Sequence, residues 1–122
     1  MPVTHLAGVL IHTTPERHGA MRAFYVDALG LTPRSDRAGF VNFEFGSRRL
    51  TIALHDDVEG ATREPARIMV NLEVDDIDGI FERLVSNGAP PIRTPSPEPW
   101  GGLVATSAVP DGNIIQLMEF DR

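Results

Sequence analysis

The chain has no cysteine and no lysine. Without cysteine there is no disulfide and no thiolate metal site. That absence agrees with a reducing compartment, and the cytoplasm is the expected location. All 11 basic residues are arginine, set against 17 acidic ones, for a net charge of -6. No basic stripe is present, so nucleic acid is not an expected partner. The acidic balance favours solubility. Long apolar runs are also missing. The stretch from Leu6 to Ile11, after Met1-Pro2-Val3-Thr4-His5, is too short for a signal core or a membrane span, so no membrane partner is expected. Aromatic residues are few, with one Trp and one Tyr. What remains is 122 residues, enough for one domain, or two half-size units sharing a core, without a metal or disulfide to hold it.

Helix punctuation occurs twice. Thr14-Pro15-Glu16 combines an N-cap type, proline at the first helical position and an acid in the first turn. Met21, Phe24, Tyr25, Ala28 and Leu29 follow at helical spacing, and Gly30 stands where a C-terminal glycine belongs. The pattern predicts a helix over 15–29. The second helix starts at Asp75 or Asp76, buries Ile77, Ile80, Phe81, Leu84 and Val85, and ends at Asn87-Gly88. Strands are predicted over 9–11 and 68–74, each before a helix, with short strands near 32–34 and 92–93 after them. Hairpins pair 40–45 with 50–54, and 103–108 with 114–120 across Pro110-Asp111-Gly112-Asn113.

The order strand, helix, short strand, hairpin therefore occurs twice, about 60 residues apart. One helix on four strands leaves a sheet open, and two such units can share a core and frame a cleft. The expected fold is α+β, two βαβββ modules in one domain over 1–122, module one about 1–58 and module two about 66–122. The 56–66 stretch, with Gly60 and Pro65, links them. A ferredoxin-like sandwich would use fewer strands per helix.

Three segments carry a resemblance. Phe24-Tyr25-Val26-Asp27-Ala28-Leu29-Gly30-Leu31 is similar to the FYxxxLGL helix end of the vicinal oxygen chelate superfamily, which holds glyoxalases, bleomycin-resistance proteins and extradiol dioxygenases. Leu72-Glu73-Val74-Asp75-Asp76-Ile77-Asp78 is similar to its strand-to-helix junction. Pro99-Trp100-Gly101 followed by Pro110-Asp111-Gly112-Asn113-Ile114-Ile115-Gln116-Leu117 resembles its C-terminal motif. The three occur in the family's order. The resemblance implies, in many members, a metal held by one ligand from each of four strands. Those positions fall on Gln116, Thr51, Met69 and one of Ala7, Gly8 or Val9. None offers an imidazole or carboxylate, the donors that Zn, Fe, Mn or Ni requires. The resemblance thus implies a member without cofactor or metal that binds a small organic ligand in the cleft, and a homodimer. The alternative is a metal-dependent lyase, isomerase or dioxygenase with an unusual ligand set drawing on His5, His12 or His55. A third possibility is an assembly module with a vestigial cleft.

The expected ligand-binding residues are Thr51, Met69, Asn71, Trp100 and Gln116. Gln116 faces away from Ile115 and Leu117. Asn71 shares a strand face with Met69 and Glu73, and a buried amide there needs a partner. Trp100, in the proline- and glycine-rich loop 96–102, either walls the cleft or plugs the core beneath the loop. His12 ends the first strand and His55 the fourth, so the two can approach each other, as a rim pair or as part of a metal site. Glu44, Glu73 and Glu119 are the strand carboxylates, each a general-base candidate or a solvated strand end. On the strand over 40–45, one face carries Val41, Phe43 and Phe45, the other Phe40, Asn42 and Glu44. Which face meets the cleft is left open by the alternation.

Overall fold

The computed structural model describes residues 1–120; Asp121 and Arg122, the last two residues assigned to module two, lie outside them. The predicted order is observed. β1 (Gly8–Thr13) leads to α1 (Pro15–Ala23), then β2 (Ser35–Arg37), β3 (Phe40–Phe45) and β4 (Arg48–Leu54). β5 (Val70–Glu73) leads to α2 (Ile77–Ser86), then β6 (Pro91–Pro97), β7 (Leu103–Ala108) and β8 (Ile114–Glu119). Each module forms its own four-stranded sheet, in the order β1-β4-β3-β2 and β5-β8-β7-β6. In both, the first strand lies parallel to the last and the remaining pairs are antiparallel.

The first helix departs from the predicted continuous α-helix. After Ala23 it widens into a π turn over Phe24–Ala28, where the Leu29 N–H donates to Phe24 O, five residues back, at 2.9 Å. Phe24, Tyr25, Ala28 and Leu29 are all buried by it. Gly30, at φ 77, then turns the chain in the left-handed region that a side chain resists. Thr14 is the N-cap by position, but its hydroxyl makes no cap bond, and its carbonyl accepts the Arg17 and His18 N–H groups.

α2 is capped from two directions. The Asp76 carboxylate accepts from Gly79 N–H at 3.1 Å, a cap typically contributing about 1 kcal/mol. The Glu119 carboxylate, from the end of β8, accepts from Ile77 N–H at 3.1 Å. Both helices cover one face of the sheets. Met21, Tyr25, Phe43, Ile52, Ile77, Leu84, Ile115 and Leu117 form one core shared by the two modules. Arg83 of α2 ties the modules further by donating to Asp27 O at 2.9 Å.

Prolines explain the last surprise in the strands. β6 is longer than the strand predicted near Ile92 and Arg93 and contains Pro91, Pro95 and Pro97. Proline cannot donate to a ladder, and β6 is an edge strand where that costs least. Its register against β7 shifts twice. β2 lies at 35–37 rather than 32–34, and β5 starts at Val70, leaving Met69 just before the strand.

Candidate functional site

The helices cover Val41 and Phe43 on β3, Leu50 and Ile52 on β4, and Ile115 and Leu117 on β8. Strand alternation turns the other residues to the uncovered faces. On the first sheet the row Leu10, Thr51, Asn42 crosses β1, β4 and β3. On the second, Asn71, Gln116, Thr106 crosses β5, β8 and β7. Thr51 and Gln116 therefore hold equivalent places in the two modules, and so do Leu10 and Asn71.

Thr51 is half-buried in an open hollow of about 550 Å³, walled by Leu10, Phe40, Asn42, Ser47 and Arg49. These neighbours were not among the expected ligand contacts, although alternation with Thr51 places them on its face. Arg49, the charged residue of this wall, lies 3.6 Å from the Glu44 carboxylate, which also lies 2.9 Å from Arg34. Asn42 is buried, its side-chain oxygen accepting from Ser35 N–H at 3.0 Å.

Asn71 lines a second hollow of about 380 Å³, between β1 and β5, with Leu6, Val9, Phe45 and Leu72. The Gln116 side-chain amide donates to Asn71 Oδ1 at 3.2 Å, so these two expected site residues touch. An amide offers two donors and an acceptor oxygen, more than this bond uses. Met69 is half-buried at the entrance to β5. Trp100 is 46% exposed, so it does not plug the core; its ring stands 5.4 Å from that of Phe120 and lies against Gly102. Of the five expected residues, only Asn71 and Gln116 are joined by a hydrogen bond among the described residues.

The donor set for a metal can be tested on this frame. By the observed registers, the position two before Asn71 is Met69, and two before Leu10 is Gly8. A Cβ at Gly8 would collide with the Arg49 carbonyl, so no liganding side chain fits there. The four positions are then Gly8, Thr51, Met69 and Gln116, which together supply one thioether, one hydroxyl and one amide. They do not fit a Zn, Fe, Mn or Ni ion. The histidines do not replace them. His12 and His55 do meet, with ring centroids 4.6 Å apart, and His55 Nδ1 accepts from Asp57 N–H at 3.0 Å. Yet among the described residues no group of three His, Cys, Asp or Glu is placed to hold a metal. Of the strand carboxylates, Glu73 is exposed, Glu44 is engaged by two arginines, and Glu119 is buried as the cap of α2.

Two sheets of this order, each with one helix, and equivalent open-face positions in the two halves define a small member of a paired-module class. The chain belongs to the Glyoxalase/Bleomycin resistance protein/Dioxygenase superfamily, whose model matches residues 9–117. Solved structures agree on the fold. A glyoxalase-related enzyme from Fulvimarina pelagi is 22% identical, with a TM-score of 0.79 over 96% of this chain and 88% of its own. An antibiotic binding protein from a Streptomyces species is 24% identical, with a TM-score of 0.72 over 99% of each chain. A lactoylglutathione lyase from Agrobacterium tumefaciens is 19% identical, with a TM-score of 0.69 over 97% of this chain and 95% of its own. No curated protein matches the sequence. No helix among the described residues is long and apolar enough to cross a membrane.

Proposed function

We propose that the chain is a small-molecule-binding protein of its superfamily that works without a catalytic metal, holding an organic ligand against the open sheet faces. The observation that supports this reading is that Gly8, Thr51, Met69 and Gln116 stand at the positions expected to hold metal donors, with an open hollow beside Gly8 and Thr51. The antibiotic binding protein of the same fold is a precedent for binding, and the lactoylglutathione lyase is one for catalysis. The donor chemistry favours the former. Thr51, Met69, Asn71, Trp100 and Gln116 are the proposed contacts. Trp100 would offer a stacking face and the Asn71–Gln116 pair a hydrogen-bonding edge.

The binding unit is proposed to be a homodimer. β1 is an edge strand; Leu6, just before it, and Val9 and Leu10 on it are 65%, 36% and 57% exposed. Unpaired edges carrying apolar side chains are normally covered. A second copy would enclose the open faces that one chain leaves bare.

The test is a thermal-shift screen of small organic molecules, followed by calorimetry on each molecule that stabilises the protein. Trp100→Phe and Gln116→Ala are each expected to weaken such a ligand about fivefold, the worth of one stacking or hydrogen-bonding contact. Sedimentation of the same samples is expected to show a dimer. Unchanged affinity in both variants would refute the assigned contacts, and a monomer at every concentration would refute the paired binding unit.

A further inference from the structure

The hollow around Thr51 carries a charge of one sign. Among the described residues that wall it, Arg49 alone is charged. Strand register sets Arg49 on the open face, between Gly8 of β1 and Glu44 of β3. Glu44 does not cancel it. That carboxylate lies closer to Arg34, at 2.9 Å, than to Arg49, at 3.6 Å, so one anion is shared by two guanidinium groups. Arg37 adds a further cation, 3.9 Å from the centre of the Phe40 ring in the same wall. The neighbouring hollow adds Arg48 and Glu73, one charge of each sign. A cationic wall runs against the chain's net charge of -6.

The polar groups beside Arg49 are hydrogen-bond donors. Asn42 is 5% exposed and lines the hollow. Its side-chain oxygen accepts from the Ser35 N–H at 3.0 Å. Only the oxygen of an amide can meet an N–H, so the group left over is the NH2, a donor. Neither that NH2 nor the Thr51 hydroxyl has a hydrogen-bond partner among the described residues. A side chain buried this far normally has its polar atoms paired. Thr51 stands directly opposite Asn42 in the ladder, and Arg49 is the next residue along the same face of β4. One headgroup can therefore meet all three.

We propose that the ligand of this face is an organic monoanion, a carboxylate whose oxygens accept from Arg49, the Asn42 NH2 and the Thr51 hydroxyl. Its apolar body rests on Leu10 and Phe40. A carboxylate is acceptor-only and has room for several donors, which matches a wall that offers donors and a cation. This proposal rests on the small-molecule-binding reading, and adds the ligand's charge and the contacts Asn42 and Arg49.

The probes are phenylacetate and phenylacetamide, which share a shape and differ in charge. Titrations at neutral pH and low salt are followed by amide NMR. Phenylacetate is expected to shift the signals of Ser47, Arg49 and Thr51. It should bind about tenfold tighter than phenylacetamide, the worth of a charge-assisted hydrogen bond at a half-exposed arginine. Added salt should narrow that preference. Arg49→Gln, at an exposed position, should abolish it without loss of folding. Asn42→Asp keeps an acceptor for the Ser35 N–H and replaces the donor by a negative oxygen, so it should reverse the preference. Equal affinity of the two probes would overturn the proposal. So would a preference that survives Arg49→Gln, shifts confined to Asn71 and Gln116, or no binding of phenylacetate. The thermal-shift screen separates the two readings. A neutral molecule held through Trp100 and Gln116, with phenylacetate unbound, overturns the carboxylate alone; no stabilising molecule of any charge overturns both.

Discussion

Phe43→Ala is expected to destabilise the protein by about 3–5 kcal/mol, lowering its melting temperature by roughly 10–20 °C. Phe43 is 1% exposed, packs with its ring 6.0 Å from that of Tyr25, and lies in the core shared by both modules. Removing the ring costs its transfer from water and leaves a cavity that two sheets and two helices cannot easily collapse. Phe45, two residues on, has the same nominal face but is 42% exposed at the strand end. Phe45→Ala should cost about 1 kcal/mol or less, since half its surface is already in water. Denaturant unfolding of both variants checks this, and equal losses would contradict the burial of Phe43 in the shared core while Phe45 stays at the strand end.

Glu119→Ala is expected to cost about 2–3 kcal/mol. The carboxylate is buried and accepts from the first N–H of α2, where it also meets the positive end of the helix. Hydrogen bonds to charged groups contribute about 1.5–3 kcal/mol, and truncation strands the Ile77 N–H in a site that is itself buried. Glu119→Gln keeps an acceptor oxygen and should lose less than Glu119→Ala. Thermal and urea unfolding of the pair would show the order, and no loss in either would remove Glu119 from this role. The bond also explains why this strand carboxylate, a candidate base by residue type, is committed to structure.

How far these features could be read from residues alone depends on their range. Hairpins were legible because their information is local. Phe40–Phe45 and Leu103–Ala108 fall where alternation and turn residues place them. The repeat was legible because each module carries its own helix signals. The covered face of β3 was not, because both of its faces carry phenylalanine and only the helices decide between them. The π turn over Phe24–Ala28 differs from an α turn in its hydrogen-bond partner, not in its apolar spacing. The Glu119 cap joins residues 42 apart, and no local pattern reports it. β6 runs beyond the short strand expected near 92–93, and its edge position is what lets a strand carry three prolines.

The candidate site divides in the same way. The equivalence of Thr51 and Gln116 follows from the repeat, and the registers reproduce it. The contact between Gln116 and Asn71 needed the parallel pairing of β5 with β8. The exclusion of a side chain at Gly8 needed the approach of the Arg49 backbone. Trp100 illustrates the limit of composition. A lone Trp in a proline-rich loop is compatible with a plug or a wall, and its 46% exposure decides against the plug.

Binding without a metal requires that the open faces lack a metal donor set, and elemental mass spectrometry of tag-free protein decides whether they do. The protein is analysed as purified, and again after exposure to Zn, Fe, Mn and Ni salts and desalting. Well under one equivalent of each metal per chain is the predicted result. About one equivalent retained after desalting would contradict it, and would place the metal-dependent lyase, isomerase or dioxygenase reading first.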